Sequence, residues 1–381
     1  MTESSNNKFH QIIQARFVDL MISDKVAKTR LGLTPTLIET ATTRDLLSVE
    51  AKAQKLKERK IKTEEEFKVY VNEYFHDALF DYIDSKVTDP EYLFSEVLKL
   101  DTNLAKTVDA CLSKALNTKQ LAALIEPNTI IKRELLNIVN KPPFREKDST
   151  KPFQEDVGLA IRYVGIDNIK APLLAIIAKQ WLPHSTDPFS DFKLKLWQYS
   201  IATANCMETL APRFNVNPLH AFTLGLLHSF GYGLVMRMYL RAFDKIRLEE
   251  MHKARNSGRS DIEKVLNSLV LDGEFASQLV LNHGLDVSLL LLQHLELKFA
   301  PLAPAMEQIV NNEAIDSLTP IASLLLKSKT YSQYKLLQKA RLIELPEAKR
   351  FLTGCKINND FVTILNKINL TKLNLSNRTS Q

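Results

Sequence analysis

Glycine is scarce, with 10 residues in 381. That scarcity excludes glycine-rich loops for cradling phosphates and the turn-dense architectures of β proteins, and it points to helices. Cysteine is scarcer still. Cys111, Cys206 and Cys355 lie far apart with no Cys-x-x-Cys spacing, so neither a disulfide framework nor a zinc ribbon is implied, and a reducing cytoplasm is the expected setting. No unbroken apolar run approaches the about 20 residues a membrane helix requires, and Met1 to His10 is polar, so neither a membrane nor a secretory leader is expected. A concentrated basic patch is missing as well. The net charge is +6 and the lysines and arginines are spread from Lys8 to Arg378, so nucleic acid is not an expected partner. The eight histidines include no His-x-x-x-His or His-Glu-x-x-His pair, the spacings that put two metal ligands on one helical face.

What is present is an ordinary globular balance, 45% apolar and 25% charged, in a chain long enough for two or three modest domains. The stretch around which the rest is organised is Ala221-Phe-Thr-Leu-Gly-Leu-Leu-His-Ser-Phe-Gly-Tyr-Gly-Leu234. Ala221, Leu224, Leu227 and His228 fall at three- and four-residue spacing, the pattern of a helix with one buried stripe. Gly231 and Gly233 then read as a turn, which places His228 near a helix end and facing inward.

This stretch resembles the Leu-Leu-His-Asp core of HD-type metal phosphohydrolases and, more closely, of their degenerate relatives, the HDOD (HD-related output) domains. Four further segments carry the resemblance over residues 105–312. Leu121–Ile125 with Leu135–Asn140 resembles the family's paired helices, and Glu155–Ile166 its helix and glycine turn, continued by Ile169–Ala178. Phe192–Ala202 is similar to the helix bearing the first metal histidine, and Leu281–Leu291 to a later helix, with His294 where tryptophan is usual. The departures fall on the chemical positions. Tyr199 stands where the resemblance implies a histidine ligand, and Ser229 where it implies the aspartate beside His228.

The resemblance implies an all-α, HD-like helical bundle, flanked here by helical regions at 1–104 and 313–381. In the first region, the Leu31–Pro35 turn leads to a helix around Leu37 to Arg59. Thr63-Glu-Glu-Glu66 then reads as a capping box that starts a new helix, and Phe67, Val71, Tyr74, Ala78 and Tyr82 form a stripe that is either core or a docking surface for a partner or second copy. Residues 141–152 read as a surface loop, with Trp181–Phe189 and Asn256–Asp261 as further breaks. In the last region, Pro320–Leu326 is apolar and Lys327–Arg341 basic and helical in pattern; Leu345–Phe351 and Asn359–Ile368 read as short helices, and 376–381 as a frayed tail. The expected core includes Val164, Ile201, Leu224, Leu227 and Leu290.

Metal chemistry is what an intact HD site would perform, with the ion activating water. His220 and His228 are eight residues apart, about 12 Å along a helix, too far to share an ion held at about 2 Å. His283 and His294 fail in the same way. Asp272, Glu274 and Asp286 remain as carboxylates that folding would have to bring to His228. Two functions stay open. One is a non-catalytic module of the kind used in bacterial signal transduction, with Tyr199, His228 and Ser229 as a degenerate site, no metal or cofactor, and protein partners or a second copy of the chain. The alternative is a divergent metal-dependent phosphohydrolase acting on a nucleotide or phosphate ester.

Overall fold

The computed structural model describes residues 3–32, 48–142, 144–145 and 154–373. Among them no strand occurs. The Leu31–Pro35 turn beyond Gly32, the start of the helix expected around Leu37, most of the 141–152 loop and the 376–381 tail lie outside the described residues.

The N-terminal helices are Glu3–Ile22 (α1), Asp24–Arg30 (α2) and Ser48–Val87 (α3). A π-helical turn, Tyr92–Val97, leads into Thr102–Leu112 (α4), Thr118–Ile125 (α5) and Thr129–Val139 (α6). Val157–Val164 (α7) and Ile166–Gln180 (α8) follow, divided at Gly165, whose φ of 91° is open to glycine at little cost. The centre consists of Phe192–Leu210 (α9), Pro218–Leu227 (α10), Phe230–Asn256 (α11), Ser260–Ser268 (α12) and Gly273–His294 (α13). Leu302–Val310 (α14), Pro320–Lys339 (α15), Leu345–Gly354 (α16) and Asn359–Leu365 (α17) complete the chain.

Several of these helices start at a short polar residue that offers a side-chain oxygen to amides the first turn leaves unpaired. Asn117 and Gln120 form a reciprocal capping box on α5, Asn217 accepts from the Leu219 and His220 amides of α10, and Asp272 does the same for Glu274 and Phe275 of α13. Asn140 ends α6 and bridges to Gln154 by two hydrogen bonds of 2.8 and 2.9 Å, which fixes the two ends of the intervening loop together.

Two local expectations are corrected. Thr63 starts no helix, because α3 runs through it without a break from Ser48 to Val87. The buried stripe on that helix is Val71, Phe75, Leu79, Ile83 and Val87, a four-residue repeat one position away from the stripe read through Tyr74, Ala78 and Tyr82. Tyr74 is 46% exposed and donates its hydroxyl to Glu250 at 2.8 Å. Tyrosine tips prefer a wet edge, so a period drawn through tyrosines falls beside the core.

Buried side chains from Ile13 to Leu365 belong to one continuous apolar cluster, so residues 1–104, 105–312 and 313–381 all contribute to it. The N-terminal α1 packs on α9, α13, α15 and α16. Phe17 meets the Tyr199 ring at 4.6 Å, Arg16 forms a bidentate pair with Glu347 at 2.8 and 3.0 Å, and Asp19 accepts from Arg30 and Ser277. At the other end, Asn205 on α9 donates to the carbonyls of Asn369, Leu370 and Lys372. Residues 218–256 and 273–294 are apolar and long enough on average to cross a bilayer, but 89% and 50% of their most apolar windows are buried inside the protein. Packing against other helices uses most of that apolar surface in the first segment and half of it in the second.

Leu224, Leu227 and Ile201 are buried as expected, whereas Val164 and Leu290 are half-buried at the margin of the cluster. Ile161 and Leu291 take the fully buried places on those helices. Leu227→Ala should cost about 2 to 5 kcal/mol, the range for truncating a buried leucine whose surroundings cannot fully collapse. A chemical denaturation midpoint that does not move would show that the face of α10 is assigned wrongly.

A sealed HD-like site

The joint between α10 and α11 places the candidate residues. The expected turn at Gly231 and Gly233 is instead at His228 and Ser229; both glycines lie inside α11. Their role is close packing. A Cβ on Gly231 would overlap the Gly284 carbonyl and the Ser288 amide of α13, so these two helices meet backbone to backbone. Ser229 offers no side-chain cap to α11. That function passes to Ser288, which accepts from the Gly231 amide at 2.9 Å and donates to the Gly284 carbonyl at 2.9 Å.

Tyr199, His228 and Ser229 come together at this joint, and each is 0% exposed. The His228 ring lies edge-on to the Tyr199 ring, with centroids 4.9 Å apart. His228 Nδ1 is 2.7 Å from the Gly225 carbonyl. A carbonyl only accepts, so Nδ1 carries the proton and Nε2 is the bare nitrogen. Nε2 is buried with no hydrogen-bond partner among the described residues. Burial pulls the pKa of His228 down to about 3, against the opposing effect of the Gly225 carbonyl and with help from the charge of Lys329. The imidazole is therefore neutral at ordinary pH.

The neighbouring hydroxyls are already engaged. Ser200 donates to the Leu196 carbonyl at 3.0 Å, and its oxygen lies 2.8 Å from that of Ser229, so Ser229 is the donor in the pair. The Tyr199 hydroxyl accepts from Gln333 of α15 at 3.1 Å, and burial raises its pKa well above the usual value. Ser332, also on α15, is 3.8 Å from Cys206. Thus α15 closes the joint from one side, and Gln333 and Lys329 are site residues that sequence reading did not select. They lie in Lys327–Arg341, read as basic, although buried Tyr331 and Leu337 carry the apolar face of Pro320–Leu326 on through it.

A divalent metal does not fit here. One imidazole nitrogen is available, the tyrosine and serine hydroxyls are neutral and already bonded, and the nearby charge is the positive one of Lys329. Structural and catalytic ions need three or four convergent ligands, with anionic charge for hard cations. Among the described residues no group of three histidine, cysteine, aspartate or glutamate side chains converges. Asp286 and Glu274 are exposed, and Asp272 is occupied as the α13 cap, so folding does not bring them to the fully buried His228. His220 and His294 are on other parts of the surface, His294 stacked on Phe94.

The described residues form an all-α bundle whose central helix break carries His228, with Tyr199 and Ser229 buried beside it. Residues 98–269 match the HDOD domain, and this segment belongs to that family. The match ends before α13, so the 281–291 helix expected in the domain lies beyond it. Among solved structures, a Shewanella amazonensis SB2B protein provisionally described as a phosphohydrolase is 17% identical, covering 80% of this chain and 98% of its own, with a TM-score of 0.47. An HDOD domain protein of unknown function from Geobacter sulfurreducens is 14% identical, covering 76% of this chain and 99% of its own, with a TM-score of 0.43. No curated protein matches the chain.

Proposed function

We propose that this protein is a non-catalytic signal-transduction module that acts through protein partners in the cytoplasm, using the HD architecture as a scaffold. One observation carries the reading: the three positions that would hold and polarise a metal, Tyr199, His228 and Ser229, are fully buried and closed over by Gln333. A phosphohydrolase must admit both its ion and its substrate to these positions. Here the apolar packing surrounds the motif, while the ligand positions hold residues whose hydrogen bonds run to Gln333, Gly225 and Ser200.

The test is hydrolysis by the purified full chain. Nucleotides and a chromogenic phosphodiester should not turn over above the buffer rate, with or without Mn²⁺ or Mg²⁺. Metal-stimulated turnover that His228→Ala abolishes while leaving the circular dichroism spectrum intact would establish the phosphohydrolase instead.

A further inference from the structure

Lys329 is 5% exposed, and it makes no hydrogen bond and no ion pair with any described residue. An ammonium ion taken out of water without an anion beside it is strongly disfavoured. Its neighbour Lys327 shows how this chain otherwise handles such a group, by donating to the carbonyls of Cys355 and Lys356 at the end of α16. Lys329 has no such arrangement. It lines a cavity of about 330 Å³ bounded by α1, the end of α14, α15 and the end of α16.

The rest of the cavity wall is suited to a ligand. Gln11 and Gln14 of α1 line it and make no hydrogen bond to another described residue, so their amides are available. His10 is committed to the Phe351 carbonyl at 3.0 Å, and burial lowers its pKa, so it adds no second positive charge. Ile309 and Leu326 supply apolar wall. Glu313, also on the lining, is held by Gln308 at 2.9 Å.

We propose that this cavity binds a small organic monocarboxylate, with the Lys329 ammonium as its counter-ion and the Gln11 and Gln14 amides as further donors. The charge balance selects the class. One buried cation matches one negative charge, whereas a phosphate dianion would leave an excess that the Glu313 carboxylate repels. The volume is at the small end of ligand pockets, and the apolar wall favours a short hydrocarbon body. Burial lowers the pKa of Lys329, and a bound carboxylate would raise it, so binding should strengthen as the pH falls.

The experiment is calorimetric titration of the full chain with butyrate, hexanoate and benzoate, and in a parallel arm with inorganic phosphate, at matched ionic strength. Saturable binding of at least one monocarboxylate is expected, lost in Lys329→Met and weakened about tenfold in Gln11→Glu, which sets a negative charge at an exposed lining position. No saturable binding of any monocarboxylate, binding of phosphate alone, or undiminished binding in Lys329→Met would overturn the assignment. Should Lys329→Met fail to fold, Gln11→Glu decides alone, and an unchanged affinity there overturns it.

Discussion

Acidification from about pH 7 to about pH 4 should cost this protein about 3 kcal/mol more stability than it costs the His228→Gln variant. The folded-state pKa of His228 is held down to about 3, first by burial and secondarily by the Lys329 charge, whereas in the unfolded chain the imidazole titrates near 6.5. Between those two values the unfolded state binds a proton that the native state refuses. Stability from this residue is therefore complete above about pH 6.5 and drains away as the pH falls toward about 3. Glutamine is neutral throughout and retains an N–H able to reach the Gly225 carbonyl. His10, His76, His220 and His283 are shifted in the same direction by burial, but they are common to both proteins and cancel in the difference. Urea midpoints measured on both across that range provide the check. Parallel curves would mean that water or a charge reaches His228.

The other large effect is steric, and it separates two glycines that look equivalent in the sequence. Gly231→Ala should destabilise by about 3 kcal/mol, the upper part of the range for overpacking. Its new methyl would strike the α13 backbone at Gly284 and Ser288, which can yield only if two helices separate. Separation would also break the Ser288 cap on the Gly231 amide. Gly233→Ala meets the end of the Leu196 side chain at 3.1 Å and the Pro183 ring at 3.4 Å. Leucine can rotate aside, and alanine favours a helix by up to about 1 kcal/mol over glycine, so the net change should stay within about 1 kcal/mol. Thermal denaturation of the two variants side by side tests this; equal losses would show that α11 and α13 are not in backbone contact.

Much of this architecture was legible because helix boundaries are written in local chemistry. Gly165, the Trp181–Phe189 break and the Asn256–Asp261 break all separate helices as read, and the inward, helix-end placement of His228 followed from its spacing to Leu224 and Leu227. The misreadings share one physical cause: local signals compete with tertiary packing. Gly231 and Gly233 carry the composition of a turn, yet close helix packing also demands glycine, and only the partner helix reveals which applies. Tyr74 and Tyr82 carry the period of a core stripe, yet their hydroxyls seek the edge. Lys329 and Gln333 were missed because a lysine-rich helix ordinarily faces solvent, and their burial is set by α1, α9 and α16, which are distant in sequence.

The helix α15 has a further consequence. Ancestry marks out residues 98–269 as one unit, but physics draws a larger one. A fragment cut at those limits would lose the Gln333 amide above Tyr199, the Ser288 hydroxyl that completes α11, and the α1 side chain of Phe17 that covers the tyrosine ring. Each loss bares either apolar surface or a polar atom that the interior had satisfied. In this protein the matched segment and the continuous core are different objects, and the flanking helices are structural members of the site they enclose.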